Sequence, residues 1–291
     1  MAERKSRLLN WFNRRGSENN PSAEMSFVEH LEALRGHIVR SLLAILIGSI
    51  VVFWKIDFVV DKILMGPAHK EFITYKWLCA ISKNINIPEL CLSEVKIVFL
   101  SNAMTEQFLM TFSLAFTGGF VLAFPYIFWE LWKFISPALS KKEKKYTTGA
   151  ILWVSLLFFF GIVFGYIVLT PFMVNFYSSY SLSPLIEFKP SISDYFSNLM
   201  YLTIGIGLLF QLPVVILMLT KIGMVSPASL KKIRRYAIVV ILVLAAAITP
   251  SSDPFSLALV TLPLYLLYEF SIVLSARSYK KREQSEIQQW D

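Results

Sequence analysis

The chain has 291 residues, of which 55% are hydrophobic and only 16% carry a charge. Soluble globular proteins usually have about 25% charged residues, so this composition indicates a protein that crosses a membrane several times. The net charge of +8 would suit a nucleic-acid partner. The placement of the basic residues instead matches an orientation signal and an attraction to anionic lipid, so no nucleic-acid partner is predicted.

Residues 1–24 are polar and basic and lack the apolar core of a secretory signal peptide, so we interpret them as a flexible cytoplasmic tail. A spanning helix needs about 20 apolar residues. Residues 25–275 are predicted to form one membrane domain, followed by a polar cytoplasmic tail at 276–291. Its six predicted spans are 38–57, 107–131, 147–171, 195–220, 236–250 and 254–274.

The apolar cores of the last two spans have 14 residues each. At 1.5 Å per residue each core covers only about 21 Å. We interpret them as two short spanning helices joined by a minimal turn, and re-entrant segments are the alternative. The fold class predicted is therefore an all-α integral membrane bundle of six helices.

Basic residues are distributed unequally between the loops. With six spans, 21 of the 28 lysines and arginines fall on the side that carries both termini. Positive charge accumulates in cytoplasmic loops, so both termini are predicted to be cytoplasmic. The only cysteines, Cys79 and Cys91, then lie in the first external loop. In an oxidising compartment they could form a disulfide, and two unpaired thiols are the alternative.

Ionisable side chains are nearly absent from the middle of the spans, where Gln211 is the strongest polar group. A small-solute secondary transporter is the main alternative function, but it would need charged groups at the membrane midplane. A membrane-embedded enzyme is a third hypothesis. The chain contains no hydrolase, metalloprotease or nucleotide-binding motif, and no cofactor or metal is predicted. Pro125, Pro213 and Pro263 lie within spans and are expected to kink or merely tune the packing of their helices.

Five stretches, in this order, carry a family resemblance: SFVEHLEALRGHIVRS, FPYIFWELWKFISPALSKKEKK, FGIVFGYIVLTPF, FQLPVVILMLTKIGMVSPASLKKIRRY and ITPSSDPFSLALVTLPLYLLYE. Together with six spans they make the chain resemble TatC, the multi-spanning subunit of the twin-arginine protein translocase. The resemblance covers nearly all of residues 25–275.

The resemblance implies a cup-shaped bundle in the bacterial cytoplasmic membrane. It also implies a receptor that binds the twin-arginine signal peptides of folded precursors. The expected partners are TatA/TatB-type single-span proteins, further copies of the chain in a homo-oligomer within the complex, and the lipid bilayer. Transport would be driven by the protonmotive force.

The resemblance also implies a site. Glu143 matches the family acid implicated in signal-peptide binding, and carboxylates suit a ligand that carries two guanidinium groups. The other residues expected at the signal-peptide site are Leu31, Glu32, Arg35, Phe134 and Lys141. Structural roles are expected for Pro67, Pro125, Pro137 and Pro263.

Four positions depart from the family pattern. Ala33 stands where a second acid is usual, and His37 where an arginine is usual, so Glu32 or Glu29 is expected to supply the second carboxylate. The intramembrane acid of the family is replaced by Gln211, beside Pro213. A further polar position is replaced by Leu257, whereas Asp253 is retained. Gln211, Pro213 and Asp253 are expected to face partner helices.

Overall fold

The structure, a computed structural model, describes residues 27–69, 71–85, 91, 97–135, 147–183, 185, 189–249 and 254–287. Within these ranges the chain is helical and forms no β-strand, apart from one isolated bridge between Leu100 and Ser191. The longer helices are α1 (Phe27–Trp54), α2 (Ile73–Ile85), α3 (Glu106–Ile135), α4 (Thr147–Phe164), α5 (Thr170–Ser179), α6 (Ile192–Leu209), α7 (Leu212–Ile222), α8 (Pro227–Lys232), α9 (Arg234–Ile248) and α10 (Pro254–Ile287).

Five stretches of the described chain are long and apolar enough to cross a membrane: 31–54, 106–135, 151–179, 192–222 and 256–280. The prediction of an all-α membrane protein is therefore confirmed. Helix α9 has 15 residues and is shorter than these five, so the count of six spans stays a prediction.

The last helix is longer than the sequence suggested. Helix α10 has 34 residues and continues to Ile287, although its apolar part was expected to end near residue 274. Residues 275–287 contain neither glycine nor proline and are rich in good helix formers, so nothing in the sequence stops the helix at the membrane boundary. The polar tail is therefore helical at its start.

Helices α1 and α3 pack antiparallel through small residues. A side chain added at Gly48 would lie 2.8 Å from the Gly119 carbonyl oxygen, and one added at Gly119 would lie 2.7 Å from the Ser49 Cα. The backbones can approach this closely only because neither glycine has a Cβ. Val52 fills the next contact, against Gly118. This approach fixes the register of α1 on α3.

Helices α4 and α6 pack in the same way, because an added side chain at Gly161 would lie 2.8 Å from the Gly207 Cα. The rings of Phe124 on α3 and Phe158 on α4 stack with 3.5 Å between their centroids. Phe158 is fully buried. Helix α4 therefore packs against both α3 and α6.

The prolines of the described chain occupy different positions relative to the helices. The fourth span breaks at Phe210 and Gln211, and Pro213 lies in the first turn of α7. Pro125 and Pro263 lie inside the continuous helices α3 and α10. Pro67 is buried in a short 3-10 turn between α1 and α2.

The turn between α7 and α9 carries Lys221, Lys231, Lys232, Arg234 and Arg235, and we call the end of the bundle at which it lies the basic end. The Thr220 and Ser275 hydroxyl oxygens are 2.8 Å apart, joining α7 to α10. The Arg234 guanidinium donates to the Glu269 carboxylate at 2.7 Å, joining α9 to α10. The start of α3 contacts the start of α6 at the opposite end, where Glu106 accepts from Ser193, and both segments run from there to the basic end. The last residue of α3 therefore lies at the basic end, and so does the first residue of α1, because α1 runs antiparallel to α3.

The opposite end is closed by contacts between loops and helix ends. The Glu106 carboxylate accepts a hydrogen bond from the Ser193 backbone N–H at 3.0 Å, and the Tyr195 hydroxyl donates to the Leu64 carbonyl at 2.9 Å. The structure joins Cys79 to Cys91 in a disulfide, with 4.3 Å between the Cα atoms. This is the first of the two alternatives that the sequence left open.

We predict that Gly119→Ala lowers the thermal stability of the purified protein, because its Cβ would collide with the backbone of α1. Overpacking of this kind costs about 1–3 kcal/mol. The matched control is Gly149→Ala, since a Cβ there meets nothing within 4 Å. Thermal unfolding in detergent measures both. Equal melting temperatures for the two variants would contradict the close contact.

Candidate functional site

A buried carboxylate joins α1 to α3 at the basic end. The Glu130 side chain is 1% exposed, and its Oε2 atom lies 2.6 Å from His37 Nδ1 and 3.0 Å from Arg40 Nε. Its Oε1 atom lies 3.8 Å from Lys133 Nζ. The Tyr126 hydroxyl, one turn earlier on α3, also lies within hydrogen-bonding reach of this carboxylate.

The contacts determine which imidazole nitrogen carries the proton. An ionised carboxylate only accepts hydrogen bonds, so His37 Nδ1 must donate to Glu130. The Arg40 Nη2 atom, 3.1 Å from the same nitrogen, then has no lone pair to donate to. Arg40 instead satisfies the carboxylate through Nε. One carboxylate and one guanidinium balance each other, as a buried charge requires.

The register of the two helices brings these residues together. His37 lies eleven residues before Gly48, and Glu130 lies eleven residues after Gly119, so the antiparallel pair places them level. His37 and Arg40 are three residues apart and therefore share one face of α1. The glycine contact at mid-span thus determines which side chains meet at the end.

Aromatic residues surround this buried pair. The Phe134 ring packs edge-on against the His37 imidazole with 6.0 Å between centroids, which brings this predicted site residue onto α1. Lys133 Nζ lies 3.3 Å from the centroid of the Trp129 ring. Such a cation–π contact holds a lysine stem along the helix while its ammonium faces the membrane surface.

The other predicted residues of α1 face away from Glu130. Glu32 and Arg35 precede His37 by five and two residues, which rotates each by about 140–160° from it at 100° per residue. Leu31, Glu32 and Arg35 are exposed. Within the described part of the chain, neither Glu32 nor Arg35 has an ion-pair partner. Within that part of the chain their side chains are accessible to a ligand. Glu29 has no described side chain, and Pro137, Lys141, Glu143 and Asp253 lie outside the described residues.

Gln211 lies at the break in the fourth span. Its Nε2 atom donates to the Val154 carbonyl of α4 at 3.3 Å. Its Oε1 atom is buried and has no hydrogen-bond partner among the described residues. Among those residues, no group of three or more histidines, cysteines or acids could hold a metal ion.

Sequence reasoning missed the joint role of His37, Arg40 and Glu130. Of the three, only His37 stands out in the sequence, as a departure from the family pattern. The available signal was that all three are ionisable groups next to apolar runs, where such groups need partners. The separation of 93 residues between His37 and Glu130 concealed the pairing.

Comparison with known proteins gives the family. Residues 29–263 match the family model of Sec-independent protein translocase protein (TatC). The chain belongs to the TatC family. It is 39% identical over 270 residues to the TatC of Blattabacterium sp. subsp. Periplaneta americana, covering 90% of this chain and 99% of that protein. It is 37% identical to Bacillus subtilis TatCy, covering 90% and 93%.

A solved structure agrees. The crystal structure of the twin arginine translocase receptor TatC in DDM matches with a TM-score of 0.67 at 30% identity, covering 85% of this chain and 99% of that one. The chain is therefore a multi-pass protein of the bacterial cytoplasmic membrane. As a TatC-family member it is a component of the Tat protein-transport system rather than an enzyme.

We predict that Glu130 and Arg40 are energetically coupled. In a double-mutant cycle of Glu130→Gln and Arg40→Gln, the double variant should lose less stability than the sum of the single variants, because removing both partners leaves no unpaired charge. Coupling between contacting charged residues is typically about 0.5–3 kcal/mol. Thermal unfolding in detergent measures it. In a control cycle Arg40→Gln is replaced by Arg35→Gln, because Arg35 has no ion pair with Glu130 or with any other described residue. Additivity of Glu130→Gln and Arg40→Gln would contradict the pairing.

Proposed function

We propose that the chain is the signal-peptide receptor and core subunit of a twin-arginine translocase. It binds precursors that carry two consecutive arginines and assembles single-span TatA/TatB-type partners, so that folded proteins are exported with the protonmotive force. Both termini, and hence the basic end, face the cytoplasm, where precursors arrive. Positive charge at this end supports that orientation.

The observation that carries the proposal is the buried pairing of Glu130 with His37 and Arg40. It holds the end of α3 against α1, so the loop that follows Ile135 starts beside the first turns of α1. Glu143 lies eight residues beyond Ile135 in that loop, and Glu32 is exposed on α1. The pairing therefore favours an arrangement in which both acids reach one ligand.

Glu130 is not itself a suitable acid for the ligand. Both of its oxygens already have cationic or hydrogen-bonding neighbours, and only 1% of the residue is exposed. A ligand arginine that displaced Arg40 would exchange one guanidinium for another, with no gain in binding free energy. Glu143 and Glu32 remain as the acids for the two ligand arginines, with Phe134 and Leu31 as apolar neighbours and Lys141 keeping the loop at the membrane surface.

The partner helices are assigned to the break in the fourth span. Gln211 is partly exposed there, and its Oε1 atom is buried with no partner among the described residues. Rotation of its side chain would present this acceptor to a polar side chain of a neighbouring membrane helix, and such bonds are worth about 0.6–2 kcal/mol. Pro213, which breaks the span beside it, and Asp253 complete this proposed contact with TatA/TatB-type proteins. Further copies of the chain join it in the complex.

We predict that Glu143→Ala weakens binding of a twin-arginine precursor, and that Glu143→Lys weakens it further. Loss of a hydrogen bond to a charged group costs about 1.5–3 kcal/mol, which corresponds to roughly 10–100-fold in affinity. Cross-linking from a photoreactive probe in the signal peptide of the precursor measures binding in inverted membrane vesicles, and export assays measure the consequence.

The matched control is Glu71→Ala, which removes an exposed acid from the opposite end of the bundle and should leave binding unchanged. A precursor with two lysines in place of the arginines should bind weakly to the unmodified protein. Its affinity for the Glu71→Ala variant should be equally weak. Unchanged binding and export in both Glu143 variants would refute the receptor assignment.

A further inference from the structure

We propose that α2 is an interfacial helix whose exposed apolar stripe, formed by Ile73, Trp77 and Ile81, lies in the lipid bilayer. The stripe would occupy the boundary between headgroups and acyl chains at the end of the bundle opposite the basic end. The proposal assigns a lipid-binding surface to the loop between α1 and α3. It does not depend on the receptor function.

Helix α2 has two distinct faces. Thr74, Tyr75 and Ser82 are buried against the bundle. On the other face Ile73 is 45% exposed, Trp77 66% and Ile81 47%. These three follow one another at intervals of four residues and form one continuous stripe. A helix that faced only water on this side would have polar residues at these positions.

The buried face determines the depth of the helix. The Thr74 hydroxyl donates to the Ile167 carbonyl, and the Tyr75 hydroxyl donates to the carbonyls of Pro67 and Pro171, at 2.9 and 3.4 Å. Between Ile151, where the third apolar stretch begins, and Ile167 the helix rises about 24 Å, and to Pro171 about 30 Å. The hydrocarbon layer is about 30 Å thick. The first turn of α2 is therefore level with the far boundary of the hydrocarbon.

The edge of the stripe has the chemistry of a membrane boundary. Lys76 and Lys83 are exposed and lie seven residues apart, so they share one edge of α2. Lysine stems can lie along an apolar surface while their ammonium groups reach phosphates. Tryptophan is enriched at membrane–water boundaries. An apolar stripe bordered by lysines is typical of helices that lie in the plane of the interface.

The bilayer fits this surface better than a protein partner does. A stable protein interface takes about 20–30 residues from each side, whereas the stripe offers three large side chains. The bilayer is already present at this depth, because α2 is hydrogen-bonded to a spanning helix at its end. We therefore assign the stripe to lipid.

Photo-cross-linking in native membranes tests this assignment. The photoreactive residue p-benzoylphenylalanine is placed at position 77, 81 or, as the matched control on the polar edge of the same helix, 83. Position 47, which is mid-span on α1 and exposed, serves as the positive control. After irradiation, intact-protein mass spectrometry separates phospholipid adducts, protein adducts and unmodified chain. Export activity of each variant confirms that it is folded.

Phospholipid adducts at 77 and 81 should exceed those at 83 by roughly threefold or more. Adducts mainly to a protein, whether a second copy or another subunit, would overturn the proposal. Yields at 77 and 81 no higher than at 83 would also overturn it. A second measurement uses the tryptophan fluorescence of the protein, which phospholipids brominated near the headgroup quench. The quenched fraction should fall when Trp77→Phe removes the interfacial indole. Equal quenching with and without Trp77 would contradict the proposal independently of cross-linking.

Discussion

The buried Glu130 carboxylate is the constraint on which the basic end of this protein depends. A residue that is 1% exposed can keep a carboxylate charge only while that charge is matched, and here Arg40 matches it and His37 donates a hydrogen bond to it from the neighbouring helix. Removing one partner of a buried pair typically costs about 3–5 kcal/mol, although Arg40 is half exposed and can be rehydrated, which reduces the cost here. The pair therefore contributes more to the choice of register between α1 and α3 than to the free energy of unfolding. A shift of α1 along α3 by a single residue would leave Glu130 unmatched.

Close backbone contact makes this pairing attainable. Gly48 and Gly119 let α1 and α3 approach until their backbones touch, so short contacts between His37 and Glu130 become geometrically accessible eleven residues further on. The glycines set the distance between helices, and the ionic contact selects one register at that distance. Neither feature alone would define where the loop after Ile135 begins relative to the exposed turns of α1.

The two ends of the bundle are built from different chemistry. At the basic end, side-chain ion pairs and hydroxyl contacts tie the helices together while Glu32 and Arg35 remain exposed. At the opposite end, side chains bind mostly backbone groups, as when Tyr75 donates to Pro67 and Glu106 accepts from Ser193. This second type of contact closes the loops onto the helix ends. A receptor needs exposed charge where the ligand arrives and a closed surface on the far side.

Much of this could be predicted from the sequence. Hydropathy predicted six spans, and the structure has long apolar helices at five of them. Five stretches of sequence, taken in order, led to the family. Local rules could not find the pairing of His37 with Glu130, because the two residues are 93 positions apart and meet only through the helix register. They also missed the extension of α10 to Ile287, since hydropathy detects where a membrane segment ends but not where a helix does. The placement of α2 depends on a hydrogen bond from Thr74 to Ile167, which no periodicity reveals.

The most direct measurement of the central claim is photo-cross-linking of a twin-arginine precursor, from a probe in its signal peptide, to the chain at positions 32 and 143, with and without Glu130→Gln. If the Glu130 pairing holds both positions around one ligand, both capture the precursor in the unmodified protein. In Glu130→Gln, capture at 32 then falls more than capture at 143, because α1 is released from α3. Capture at 32 that is absent from the start, or unaffected by Glu130→Gln, would contradict the account.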